Sequence, residues 1–476
     1  MMQGRFFTRW ICLVAWLCAL TAQGQRLERL FDYTTSWDGL PTYPSAIEFD
    51  RADSILYMGF WPCLINDTFM PGLARWDGVA WEAVPNTMDS LQCATNWITS
   101  IVAHEGELFI AGNFDSIGFT GPSSKYLARY GMGAWHACGS PSSWPKIVAA
   151  NDELWVVGGF DAIGTNGANN LARYLAGDWW PFGSSLANNQ VRAVTYHGGS
   201  FFAAGNFTQS PVTPMQDILY WDGTAWQQVG EGFGHQNSWV NTMASFQGRL
   251  FVGGALFMGD GIPGQHLVVW NGEHWSDFFQ DRLLCRNQVN DLQVIDGKLY
   301  MAGVFQFAGD AHYYNLLQYD GVDLCAVGKD LTANAGLYAM QVRGNSHEIY
   351  FSNGHIEYAD DTVNYMAKWV LGLGPDTCVS APLGFLERSA PDAQLYLNGN
   401  PQHDVLSFSV MDGDPLPNSS RATLRALDGR LVDDLPLTQN TEGRYTMDVS
   451  AVTIGLYILT IERPGLPLVS RKVVLE

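Results

Sequence analysis

The sequence predicts an all-β protein: a seven-bladed β-propeller followed by a small C-terminal β-sandwich. Three observations carry this. One unit recurs seven times at nearly constant spacing. Glycine (50 residues) and aromatics (13%) are abundant, while charged residues make up only 15%. The pattern also changes after about residue 371. Many short aromatic strands joined by tight turns give such a composition, and no long 3.6-residue periodicity competes with it.

Each unit is a short apolar stretch ending in Gly-x-Phe or a close variant, then a loop, then Leu-Ala-Arg-aromatic, a turn and Trp. The copies are 56–60 with 73–81, 108–114 with 127–135, 154–160 with 171–179, 201–207 with 218–226, 250–256 with 267–275, 299–305 with 316–324 and, worn down, 349–355 with 366–370. Between positions equivalent to Phe60 the steps are 54, 46, 47, 49, 49 and 50 residues, a period that belongs to propeller blades. In the second copy the strands are expected at 98–104, 108–112, 126–130 and 135–138. Glu105-Gly106, Gln247-Gly248 and Asp296-Gly297 supply the positive φ of a tight turn between the first two strands. Asp77-Gly78, Asp222-Gly223, Asn271-Gly272 and Asp320-Gly321 mark the hairpin between the last two. A four-stranded sheet of this size cannot bury its own faces, so the recurring Trp and Phe read as packing between blades of a closed ring. The seventh copy stops without a fourth strand, and residues 31–37 are expected to supply it.

Before the repeats, residues 1–24 read as a secretory signal: Arg5 and Arg9 precede an apolar run, and Ala22-Gln23-Gly24 offers small residues for cleavage. The domains are then 25–373 (propeller), 374–394 (linker) and 395–476 (sandwich). Without the signal, 24 basic residues face 47 acidic ones, a net charge of −23 that disfavours nucleic acid and anionic lipid as partners. No transmembrane segment is expected. Six cysteines remain, and Cys63 with Cys93 is the first candidate disulfide, with free buried thiols as the alternative.

The Gly158-Gly159 and Gly253-Gly254 pairs closing the second strand, with an aromatic and then Trp further on, resemble kelch-type propellers and the central domain of galactose oxidase. The Trp76-to-Trp81 interval is shorter than the kelch one, and no cysteine matches the Tyr–Cys and two-His site of a copper oxidase. The resemblance therefore implies the fold and no cofactor. In the C-terminal part, Asn400-Pro401, the turn Leu427-Asp428-Gly429-Arg430, Gly455-Leu456-Tyr457-Ile458-Leu459 and the terminal Lys472-Val473-Val474 resemble, in that order, the type A C-terminal sorting domain of type IX secretion cargo in Bacteroidetes. Leu397-Asn398-Gly399 stands where that family has Tyr-Pro. This resemblance implies export through the outer membrane by the type IX machinery, to the medium or the cell surface.

Chemistry is sparse. Ten His residues lack metal spacing, and no nucleophile elbow, P-loop or Ca²⁺ loop occurs, so no catalytic residue, metal or cofactor is expected. Alternating strand direction puts the two tight turns of every blade on one side and the longer connections on the other, where binding residues belong. The candidates there are Trp61, Asn66, Phe119, Asn166, Gln216, His266, Tyr313 and Asp360, aromatics and amides of the kind that contact a sugar or a peptide. The expected function is a secreted or surface propeller binding a glycan or a protein. The alternative is a carbohydrate-active enzyme with carboxylates near the channel, such as Asp115, Asp161 or Asp360, spaced about 5–9.5 Å apart. Asp53-Ser54-Ile55, Asp89-Ser90-Leu91, Asp115-Ser116-Ile117 and Asp361-Thr362-Val363 fit a Bacteroidetes O-glycosylation acceptor.

Overall fold

The structure is a computed structural model. It describes residues 26–475 except 31–33, 37–43, 61–62, 66–67, 85–96, 115–124, 165–166, 169, 184–189, 207–216, 231, 234–237, 258–264, 280–282, 286–287, 311, 328–330, 334–340, 346–347, 353–355, 359–360, 364–365, 371–376, 381–393, 398–404, 412–420, 427–430, 437, 440–444, 454 and 463–468. The chain divides into two units, residues 1–379 and 380–476.

The first unit is a seven-bladed β-propeller. The innermost strands of blades 1 to 7 are Ala46–Asp50, Trp97–His104, Lys146–Ala150, Gln190–His197, Trp239–Phe246, Asp291–Ile295 and Gln341–Gly344. Each continues into three further antiparallel strands, as in Lys146–Ala150, Glu153–Val157, Leu171–Leu175 and Asp178–Pro181 of blade 3. Each innermost strand lies against the next all the way round, including that of blade 7 against that of blade 1, so the ring is closed.

The strand that completes blade 7 is not the one expected. Arg26–Arg29 pairs antiparallel with Met366–Val370, Leu27 opposite Trp369, and forms the outer edge of that blade. Within the 31–37 segment, Thr34–Ser36 instead pairs with Cys63–Ile65 in a separate three-stranded sheet. Arg-Leu-Glu-Arg is largely charged, which hides it from an apolar-strand search but suits an outer edge that must not recruit another sheet.

The recurring aromatics pair across strands within each blade and reach into the preceding one. Trp76 faces Trp81, Tyr130 faces Trp135, Tyr174 faces Trp179, Trp221 faces Trp226 and Trp270 faces Trp275, with ring centroids 4.9–5.6 Å apart. The indole N–H of Trp179 donates to Cys138 O (2.6 Å) and that of Trp226 to Phe182 O (3.3 Å), carbonyls that follow the outermost strand of the blade before. Trp81 does the same to Leu30 O (3.0 Å), directly after Arg26–Arg29, so the joint between blades 7 and 1 repeats the bond used elsewhere. Trp179 is fully buried and Trp135, Trp226 and Trp275 nearly so. Each such indole removes about 150–250 Å² from water, on the order of 4–6 kcal/mol of transfer free energy. The arginine of the repeat forms ion pairs with Glu in a neighbouring strand (Arg75–Glu82, 2.6 Å; Arg173–Glu153, 3.2 Å; Arg129–Glu107), and exposed pairs of this kind contribute about 0–1 kcal/mol. Packing of the rings, not the ion pairs, holds the blades together.

The turns on one side are short. Glu105 and Gly106 both have positive φ (50° and 76°), as a two-residue type I′ connection requires, and Gln247-Gly248 and Asp296-Gly297 repeat it. The Asp-Gly pairs instead open four-residue connections, since Trp76 is opposite Trp81. Asp77 Oδ1 accepts the N–H groups of Val79 and Ala80 at 2.8 Å each, and Asp222, Asn271 and Asp320 repeat this closure.

The Gly-x-Phe signature has a double purpose. Phe60, Phe114, Phe160, Leu256 and Phe305 are buried at the end of the second strand. The glycine faces a bulge in the innermost strand: Val191 pairs with Gly205 and Ala193 with Ala204, leaving Arg192 unpaired, and Asn241 is left over in the same way between Val240 and Thr242. A bulge brings the two backbones together, and a Cβ on Gly205 would lie 2.1 Å from Gln190 O, one on Gly254 2.1 Å from Trp239 O.

Cys63 is buried, and its expected partner Cys93 lies outside the described residues, as does that pairing. Cys325 is in a disulfide, and the strand Thr377–Ser380, which carries Cys378, lies beside its own strand Asp323–Ala326 in blade 6. Part of the segment expected as a linker is thus a strand. In the second unit two four-stranded sheets contribute to one core, including Leu406, Tyr445 and Met447 from one and Leu424, Leu459, Ile461 and Val473 from the other.

Two outcomes are expected. Gly205→Ala should destabilise the propeller by about 2–3 kcal/mol, read as a lower midpoint in chemical denaturation. Deleting residues 26–30 should expose the Met366–Val370 edge and replace one cooperative unfolding transition with a broader, lower one by circular dichroism.

Candidate ligand face and channel mouth

The side opposite the tight turns carries a second tier of strands. In blade 1 the connection between the second and third strands folds into Cys63–Ile65 and Thr68–Met70, to which Thr34–Ser36 adds. In blade 7 Ile356–Tyr358 and Asp361–Val363 are joined by Leu331–Ala333. In blade 6 Leu283–Cys285 pairs with the extended second strand Lys298–Phe307. In each case the chain entering a blade pairs with that blade's own excursion. Cys63, Ile65 and Met70 point inward, whereas Leu64 and Phe69, directly opposite one another, are 38% and 48% exposed. Phe257, Leu284 and Tyr313 add exposed apolar surface on the same side.

Of the expected binding residues, Trp61, Asn66, Phe119, Asn166, Gln216 and Asp360 lie outside the described residues. His266 and Tyr313 are on this side, in neighbouring blades 5 and 6. His266 has φ 64°, its ring lies edge-on to Phe257 with centroids 5.5 Å apart, burial lowers its pKa, and its buried Nδ1 has no hydrogen-bond partner among the described residues. Tyr313 lies between His312 and Tyr314, whose polar groups converge on Asp310: Tyr314 Oη donates at 2.5 Å and His312 N at 2.9 Å. Those bonds, the Tyr314 one first, hold the Asp310 carboxyl well below the usual range. Of the carboxylates expected for an enzyme, Asp115 and Asp360 are outside the described residues, and Asp161 is exposed, its N–H donating to Ser142 Oγ (2.8 Å).

The charges that the structure does gather are on the innermost strands, near the ends that open on the strand-bearing side. Arg343 of blade 7 donates through Nε to Glu48 Oε2 of blade 1 (3.1 Å) and through Nη1 to Asp291 Oδ2 of blade 6 (2.8 Å), tying three blades together. Asp291 Oδ2 also accepts Val342 N–H (3.0 Å). Ser100 Oγ takes Ile147 N–H (2.8 Å) and Thr242 Oγ1 takes Leu292 N–H (3.1 Å). These amides belong to the edge of the innermost strand that no further strand covers, so a side chain of the preceding blade satisfies each. Burial pushes the Glu48 carboxyl above its ordinary value although Arg343 pulls the other way, and Asp50 adds repulsion. Arg343 is held above its ordinary value despite burial because it faces two carboxylates, where Glu48 faces one cation.

Across the channel stand Lys146 of blade 3 and Arg192 of blade 4. Lys146 is solvent-accessible yet ringed by protein, and that desolvation lowers its pKa; it feels the charges of Asp291, Arg343 and Arg192. Arg192, the bulged residue, donates through Nη1 to Asn241 Oδ1 (3.3 Å) and through Nε to Gln190 Oε1 (3.2 Å), with its guanidinium 5.8 Å from the Trp239 ring centroid. Burial lowers its pKa as well. Sequence reasoning missed this set. The available signal was a charge inside a strand that is otherwise apolar and central, at Glu48, Lys146, Arg192, Asp291 and Arg343.

No protein-family model matches the chain, and no curated protein matches it. Among solved structures, it is similar to a protein of Bacteroides ovatus titled "Xyloglucan PUL GH43B", at 12% identity over 94% of this chain and 91% of that one, with a TM-score of 0.28. A likeness of this size says nothing of activity.

A raised Glu48 pKa has a definite sign for stability. The contribution of Glu48 is present below the ordinary carboxylate pKa of 4.5 and is lost as pH rises through the higher folded value. Melting curves of the wild type and Glu48→Gln should therefore shift in favour of the variant as pH rises above 4.5, and a constant difference between them would contradict the assignment.

Proposed function

We propose that the chain is an exported, non-catalytic binding propeller that takes a glycan or protein ligand on its strand-bearing side, over the mouth of the channel. The observation that supports this best is the asymmetry of the two sides. One ends in minimal turns; the other is built up by paired strands that hold Leu64 and Phe69 side by side in the open. Apolar side chains fixed on a sheet present a preformed surface at little entropic cost. Glu48 and Asp291 at the channel mouth are both engaged by Arg343, which weighs against their acting as a free acid and base.

A second reading, a carbohydrate-active enzyme, draws on Glu48, whose burial favours the protonated form that a general acid needs. The C-terminal unit, through its ordered motifs in residues 395–476, fits a sorting module for type IX export to the medium or the outer cell surface. The signal at 1–24 supports entry into that route.

Screening the full chain on a glycan array beside a hydrolase panel separates the readings. Binding without turnover, weakened about tenfold by Leu64→Ser with Phe69→Ser, is the expected result. Turnover abolished by Glu48→Gln would replace the first reading with the second.

A further inference from the structure

The channel mouth holds two cations that no carboxylate pairs with among the described residues. Among the described residues Lys146 Nζ makes no hydrogen bond and no ion pair, and Arg192 bonds only to the neutral side chains of Asn241 and Gln190. The acid on that rim, Asp291, is already occupied by Arg343 and the Val342 amide. This occurs in a chain with 47 acidic and 26 basic residues, where a cation would find a carboxylate more easily than an anion would find a cation. Two cations held together in a partly desolvated channel repel one another and lose hydration, and an anion bound between them relieves both.

Their placement is built. Lys146 opens the innermost strand of blade 3, while Arg192 is turned out of register by the bulge that Gly205 accommodates, so both stand at the strand-bearing end of adjacent blades. Arg192 is set against Trp239 and beside Asn241, and Trp144, 46% exposed, precedes Lys146 by two residues. The Asn241 amide is engaged, its Nδ2 donating to Val289 O (3.1 Å) while its Oδ1 holds Arg192 in place, and the cations with nearby indoles suit a sugar ring bearing a carboxylate: ionic bonds to the carboxylate and stacking on the ring faces.

We propose that Lys146 and Arg192 form an anion-binding subsite at the channel mouth, which takes the carboxylate of an acidic saccharide. This deepens the binding reading above and rests on it.

Calorimetric titration of the full chain tests it, using a trigalacturonate, the corresponding neutral trigalactoside, sodium sulfate and a tri-glutamate peptide. The acidic trisaccharide should bind at least about tenfold more tightly than each of the other three, with affinity falling as salt rises. Lys146→Gln with Arg192→Gln should remove that preference while leaving the melting temperature near wild type, and Lys146→Arg should keep it. Equal affinity for the neutral sugar, undiminished binding by the double variant, or a preference for sulfate or the peptide would each overturn the proposal. If the double variant leaves binding intact while Leu64→Ser with Phe69→Ser abolishes it, the subsite fails and the wider binding reading stands. If neither pair of substitutions alters binding, both fail.

Discussion

Packing of the aromatic rings holds the blades together, but a ring of sheets also leaves one edge of every innermost strand facing an open channel, and closing the propeller requires those backbone groups to be satisfied. No further strand can reach them. The protein meets the requirement with side chains borrowed from the preceding blade: Ser100 for Ile147, Thr242 for Leu292, Asp291 for Val342. On the outer side the Trp indoles perform the corresponding task for carbonyls at Leu30, Cys138 and Phe182. Each blade is thus completed by its neighbour, which explains why a single repeat is not a folding unit and why the ring must close. Between blades 6, 7 and 1 the requirement is met with charge, through Asp291, Arg343 and Glu48, where the joints of blades 2 and 3 and of blades 5 and 6 use hydroxyls and that of blades 3 and 4 uses the Gly158 carbonyl, which accepts Val191 N–H.

The same constraint shapes the candidate site. A bulge opposite glycine lets the innermost strand depart from register at Arg192 and Asn241, and the departing residues are those that meet at the channel mouth. Structure and proposed recognition therefore share one device. The glycine is required by backbone contact, and the polar side chain opposite is left free to vary from blade to blade.

Much of the architecture was legible in the sequence because it is written locally and seven times over. Spacing gave the blade count, Glu105-Gly106 and its equivalents marked type I′ turns, and the aromatic-to-Trp interval reported a cross-strand pair. The closing strand was not legible, since Arg26–Arg29 lacks the apolar signature and its pairing with Met366–Val370 spans nearly the whole propeller. Nor was the four-residue form of the Asp-Gly connections, which Asp77 and its counterparts impose by capping two amides. The channel set was hidden for a different reason: Lys146 and Asp291 take the same place in their strands, opposite Val157 and Ala302, as Glu48 and Arg343 do opposite Tyr57 and Tyr350, but each pair differs in charge and Arg192 is bulged out of register, so no residue-type motif joins the five. Strand alternation placed the short turns and the long connections on opposite sides, as the structure has them, but Leu64, Phe69 and the paired second tier come from excursions that only the folded chain aligns.

Residue-resolved hydrogen exchange on the native protein tests the closed ring most directly. If side chains of the preceding blade cap the channel edge, the amides of Ile147, Leu292 and Val342 exchange as slowly as those paired between strands, and Asp291→Ala speeds Val342 selectively. Rapid exchange of all three in the wild type, at the rate of solvent-facing turns, would contradict the account.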